Sequence, residues 1–125
     1  MAPMPRPSEA SKAFFRGLFS ETPVVQIKPM FGNMGAFVNG NMFASLFGED
    51  VWVRLSDAER PELLAVDGTS VPEPMPGKPM KEYVALPIAW RDEPGRIHGW
   101  VARSLEWAAG LPPKEPGSRK RVRTS

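Results

Sequence analysis

The apolar positions of this chain repeat with two periods, one helical and one extended, and the switches between them mark out its elements. Phe14, Phe15, Leu18 and Phe19 stand at one- and four-residue spacings, which lines all four along one face of a helix. Ser8 is placed to cap that helix, and the Thr22-Pro23 step ends it. From Val25 the period becomes two. Val25 and Ile27 alternate with Gln26 and Lys28 in a short strand that Pro29 confines to an edge or an end. GAFV and NMFASLF then flank Asn39-Gly40, the residue pair of a two-residue type I′ turn, which needs positive φ at both central positions. Gly48-Glu49-Asp50 supplies a second reversal before VWVRL, where Val51, Val53 and Leu55 face one way and Trp52 and Arg54 the other.

The helical period then returns. Ser56-Asp-Ala-Glu59 reads as a capping box, followed by a main helix beginning at Pro61, carrying Leu63, Leu64 and Val66, and closing at Gly68. The proline-rich segment VPEPMPGKPMKE runs along the surface into a last strand, EYVALPI, limited by Pro87. The final helix has the clearest pattern: Asp92 caps it, Pro94 fits its first turn, and Ile97, Trp100, Val101, Ser104, Leu105 and Ala108 form one stripe before Gly110 and Pro112 stop it. The expected fold is α+β, an antiparallel sheet of about five strands (a meander plus a late strand) with helices packed on it in two layers.

Composition narrows the class. At 125 residues the chain has room for one core, and its 42% hydrophobic and 24% charged residues are globular values. The absence of cysteine excludes disulfides and thiolate metal sites, and no apolar run approaches the length of a membrane span, so a cytoplasmic protein with no membrane partner is expected. The pI of about 9.2 would suggest a nucleic-acid partner. From Lys114 onward, however, five basic residues stand against Glu115, a net of +4. The chain's +2 therefore leaves residues 1–113 at −2, with eleven basic against thirteen acidic residues. The basic character belongs to the tail. Residues 1–7 and the basic tail 112–125 are expected to be disordered around a domain spanning 8–111, with only weak nucleic-acid contact through the tail.

Few residues invite catalytic chemistry. His98 is the only histidine, lies off the helical stripe, and has no nucleophile motif with it, so it reads as structural. No catalytic residue, cofactor or metal is expected, because carboxylate pairs such as Glu49/Asp50 and Asp92/Glu93 sit where turns and helix starts favour acids. Gly32-Asn33-Met34-Gly35 could cradle a phosphate, yet it lacks the Gly-Lys-Ser/Thr ending and enters a strand. It reads as a bend. Gly32, Gly35, Asn39 and Gly40 are thus the expected turn residues. Trp52, Tyr83, Trp90, Trp100 and Trp107 could stack bases, but a body of net charge −2 does not attract phosphate, and core packing accounts better for them. Trp107 falls off the helical stripe, and Phe43 and Trp52 are expected to face away from their neighbours. Such a patch would meet another protein or a second copy of the chain.

Taken together, KPMFGNMGAFVNGNMFASLFGEDVWVRLSDAERPELLAVDG, PMPGKPMKEYVALP and a tryptophan-bearing last helix resemble the N-terminal domain of the TfoX family over roughly residues 10–110. Asn33 stands where the family often has a further glycine, and asparagine tolerates the same left-handed geometry. The resemblance implies an α+β domain with an antiparallel sheet, in a family named for regulators of natural competence that act alongside the cyclic-AMP receptor protein. Those regulators carry a second, C-terminal domain for which 125 residues leave no room, so a stand-alone copy is implied; no catalytic residues come with the family.

The expected function is a non-enzymatic cytoplasmic regulatory or protein-interaction module, partnered by itself as a homodimer or by another protein. Met30, Phe31, Phe43, Trp52, Lys78, Lys81 and Trp107 are its candidate interaction or pocket residues. The alternatives are a small-molecule-binding domain or enzyme with a cleft between the sheet and the PMPGKPM loop, and weak nucleic-acid binding through the tail.

Overall fold

The computed structural model describes residues 6–30 and 33–114. Of the expectations above, those on Phe31, Gly32, residues 1–5 and residues 115–125 fall outside the described residues. The elements in order are α1 (Glu9–Gly17), β1 (Gln26–Met30), β2 (Asn33–Val38), β3 (Asn41–Phe47), β4 (Asp50–Arg54), α2 (Glu59–Leu64), β5 (Tyr83–Ala85), a 3-10 turn (Ile88–Asp92) and α3 (Pro94–Ala109). The five strands form one antiparallel sheet in the order β1-β2-β3-β4-β5, a pure meander with the helices on one face. The fold is a two-layer α+β domain.

The cross-strand register explains both layers. Ile27, Ala36, Ala44, Val53 and Val84 form one row across all five strands, and a row points to one face of a sheet. That face carries the core: Phe15, Leu18 and Phe19 from the first helical segment, Leu63 from α2, and Ile97, Val101 and Ala108 from α3 pack on Met34, Ala36, Val38, Ala44 and Leu46. Phe15, Phe19 and Phe43 make successive edge-on contacts at centroid distances of 5.2 and 5.6 Å.

Phe43 corrects the alternation read from sequence. It lies next to inward-facing Ala44, so strict alternation turns it outward, yet it is fully buried in the same core. The reason is a β-bulge. Ala36 pairs with Ala44 but Phe37 pairs with Met42, so Phe43 is an extra residue without a partner on β2. The bulge leaves its carbonyl outside that ladder, and the buried hydroxyl of Ser104 on α3 donates to it at 2.7 Å, with the carbonyl of Arg54 also within 2.5 Å. The polar residue in the last helix's apolar stripe therefore ties α3 to the sheet, its one hydroxyl hydrogen shared between two main-chain carbonyls.

Element ends differ from the sequence pattern in ways that local chemistry explains. Ser8 caps α1 by accepting from the Ser11 N–H, but the helix stops at Gly17 and turns carry the chain to Thr22. Only half of the capping box forms: the Ser56 hydroxyl accepts from the Glu59 N–H and donates to the Glu59 carboxylate, Ala58 takes the cap position without a side-chain bond, and α2 begins at Glu59 instead of Pro61. Pro61 falls in the first turn, where its missing N–H costs no helical bond. That helix ends at Leu64, short of Gly68, whose φ of +90° serves the following turn. Asp92 does not cap α3. It closes the 3-10 turn that Pro87 initiates, and Glu93 precedes Pro94 without a side-chain cap.

Gly35 also corrects a sequence reading. It is paired with Lys28 and Ser45 inside β2, not placed at a bend. Asn39 and Gly40 have φ of +52° and +81°, the conformation a two-residue hairpin turn requires. Beyond α3 the chain returns to that turn: the Lys114 N–H donates to the Asn39 carbonyl at 2.7 Å, and the Asn41 amide donates to the Pro112 carbonyl at 3.1 Å. At the far end of β3, the Ser8 N–H and Ser11 hydroxyl donate to Glu49.

Candidate interaction face

Among the described residues no helix lies on the sheet's second face. Its central row is Lys28, Gly35, Ser45, Trp52 and Ala85, and the next is Gln26, Phe37 and Met42. Trp52, Tyr83 and Ala85 are its buried hydrophobic members, with Met42, Phe47 and Met80 partly buried against them. Phe47 stacks on Trp52 at 4.7 Å with the rings 21° apart. Gly35 is the floor for a second group of side chains. A Cβ there would stand 2.8 Å from Met42 Sδ, 3.0 Å from the Phe37 ring and 3.2 Å from Met30 Sδ, so glycine lets a phenylalanine and two methionines converge on the sheet surface.

Trp52 is thus on the unhelical face as its parity requires, but only 6% exposed, because its neighbours and residues 70–85 close around it. Of the other candidate residues, Met30 joins this face beside Gly35. Phe43 does not, for the reason given above. Trp107 lies on the helical side, half-buried against the core with the Arg54 guanidinium 5.2 Å from its ring centroid. Lys78 and Lys81 are exposed, Lys81 bordering a shallow depression with Arg54, Met80, Glu82 and Tyr83. Phe37 and Phe47 escape the sequence reading, which also takes Met42, Met80 and Tyr83 for core-filling residues. A signal for them exists: both parities of GAFV and NMFASLF are apolar, which marks a strand covered or contacted on both faces.

Residues 70–82 form the rim. Ser70 bridges the outer edge of β5 at Ala85, the Met80 N–H donates to the Pro72 carbonyl at 2.8 Å, and a turn at Gly77, with φ of +79°, joins Met75 to Lys78. Between this rim and the β3–β4 turn lies a depression of about 360 Å³ lined by Phe47, Trp52, Glu49, Asp50, Pro72 and Pro74 among others. Tyr83 donates to the Met42 carbonyl at 3.3 Å, and burial pushes its phenol up to about 12, so it stays a neutral donor at ordinary pH.

The carboxylates at the depression differ in their commitments. Glu49 is held below the usual carboxylate range by the Ser11 hydroxyl and the Ser8 N–H, helped by Arg91. Glu73 accepts from the Gly77 N–H at 2.5 Å. Asp50 makes no side-chain hydrogen bond or ion pair among the described residues, and burial together with the charge of Glu49 pushes its carboxyl up. A raised folded-state value means that ionised Asp50 opposes folding above that value, and the penalty disappears where Asp50 is protonated in both states. Asp50→Asn is therefore expected to raise Tm at pH 7, with the difference from the native protein vanishing below the ordinary carboxylate range. A Tm lowered at pH 7 would contradict this assignment.

Candidate chemistry elsewhere is sparse. Among the described residues no group of three His, Cys, Asp or Glu side chains could hold a metal ion, and no helix is long and apolar enough to cross a membrane. His98 is exposed on α3. Arg103 links α2 to α3, bidentate to Glu62 at 2.9 Å, bonded to Glu59 at 3.1 Å and stacked over Trp100 at 4.2 Å; these contacts serve to hold the helices together.

With the meander, its NG hairpin and the two-faced sheet described, comparison with known families becomes decisive. The model of the TfoX N-terminal domain matches residues 17–108, most of the chain. The chain belongs to the TfoX N-terminal domain family. The match runs from the end of α1 through all five strands to the last turn of α3, so it includes both the helical layer and the second sheet face. No curated protein and no solved structure is significantly similar to the chain.

Proposed function

We propose that this TfoX N-terminal domain is a non-enzymatic regulatory module that acts in the cytoplasm by binding another protein through the second face of its sheet. The observation that supports the reading is the convergence of Met30, Phe37 and Met42 over Gly35 beside the Phe47–Trp52 stack, on a face that no helix among the described residues covers. Methionines are adaptable contact residues, and aromatic groups supply most of the energy at protein interfaces. Membership of the family is consistent with a regulatory or interaction role.

Site-specific photo-crosslinking tests it. A benzophenone-bearing phenylalanine placed at position 37 should give an adduct with a partner protein in cells, and one placed at exposed Ala109 on α3 should not. Equal adducts from both positions, or none from position 37, would sink the reading. An adduct made only of two copies of this chain would reassign the face to self-association.

A further inference from the structure

We propose that the depression beside Trp52 receives an arginine side chain carried by an extended segment of the partner protein. This rests on the interaction reading above and names the chemistry that the face selects.

The depression offers three features that one arginine residue would satisfy together. Its lining includes the stacked pair Phe47 and Trp52, of which Phe47 is the partly exposed member, and a planar guanidinium can stack on an aromatic face. Its rim carries Asp50, the carboxylate there without a hydrogen-bonded or ion-paired partner among the described residues, while Glu49, which is paired with Arg91 at 3.7 Å, and Glu73 are engaged by the protein itself. A guanidinium can meet a carboxylate with two parallel hydrogen bonds. The third feature is the indole N–H of Trp52. That side chain is 94% buried, yet its N–H donates to no described group and is not sealed from solvent. A donor open to solvent in a nearly buried residue is free to exchange water for an acceptor, and the main-chain carbonyl flanking an arginine is one.

The walls agree with a peptide as ligand. Pro72 and Pro74 line one side and Val71, 39% exposed, stands at the same rim, so an extended backbone would run against apolar surface. Burial has already raised the Asp50 carboxyl, and an arriving cation would reverse that shift.

The test uses the full chain labelled with 15N. The four tryptophans give separate indole N–H resonances, and Trp52→Phe identifies the one that matters. The probe is a blocked Ala-Pro-Arg-Pro-Ala peptide, in which proline favours an extended backbone. Its addition should shift the Trp52 indole resonance in a saturable way. The lysine version should bind about 10-fold more weakly, the glutamate version should leave the resonance in place, and Asp50→Asn should weaken the arginine peptide by about 10-fold while the other indole signals report an intact fold. An unmoved Trp52 resonance overturns the proposal, as does equal binding by Asp50→Asn or by the glutamate peptide. Equal affinity for free arginine amide would also overturn it, since a peptide backbone would then contribute nothing. If these results fail while crosslinking from position 37 persists, the arginine pocket falls and the interaction reading stands.

Discussion

Phe43→Ala should lower the free energy of unfolding by about 3–5 kcal/mol, the usual cost of emptying a buried phenylalanine site. The side chain has no solvent exposure, packs edge-on against Phe19, and occupies the bulge position where α3 crosses β3. Because the bulge has no partner residue on β2, neighbouring strands have little freedom to close over the void. Urea denaturation with an unchanged m-value would measure the loss. A decrease below about 1 kcal/mol would mean that Phe43 faces solvent, as simple alternation along β3 suggests, and that the bulge is absent.

Gly40→Ala should be nearly as damaging, at about 2–4 kcal/mol, for two independent reasons. An L-residue at the φ of +81° found here is disfavoured by about 1–2 kcal/mol. The added Cβ would also stand 1.3 Å from the Lys114 carbonyl oxygen, a main-chain atom that no side-chain rotation can clear. Residues 112–114 would have to lift, breaking the bonds from Lys114 to Asn39 and from Asn41 to Pro112, at about 0.5–1.5 kcal/mol each. Asn41→Ala is the milder control, since it removes one of those bonds and leaves the turn, and should cost about 1 kcal/mol. Thermal unfolding of the two variants would separate the effects. A Gly40→Ala protein as stable as Asn41→Ala would refute the steric argument.

These two positions divide what is legible in the amino-acid sequence from what is not. Asn39-Gly40 announces its geometry locally, because positive φ at two successive residues is a demand few pairs meet. Ser8 with Ser11, Ser56 with Glu59, and the stripe from Ile97 to Ala108 are equally local, and each element they mark is present. The bulge at Phe43 is not local. It depends on which residues β2 sets opposite β3, and nothing in NMFASLF says that one of its residues lacks a partner. The same holds for Gly35, whose glycine serves side chains arriving from Met30 and Met42 on two other strands, not a bend in its own. Parity places Trp52 on the correct face, but its burial depends on residues 70–85, whose prolines reveal irregular structure without revealing where it lies. Asp50 is visible as a turn acid. Its isolation emerges only once Glu49 and Glu73 are seen to be occupied.

The attachments at the two ends of β3 also set how the domain would bear a load. Ser8 and Ser11 are bonded to Glu49 just beyond one end of the strand, and Pro112 and Lys114 are bonded to Asn41 and Asn39 at the other. Tension applied through residues 8 and 114 would therefore load these few attachments first, ahead of the ladders that hold β3 to β2 and β4.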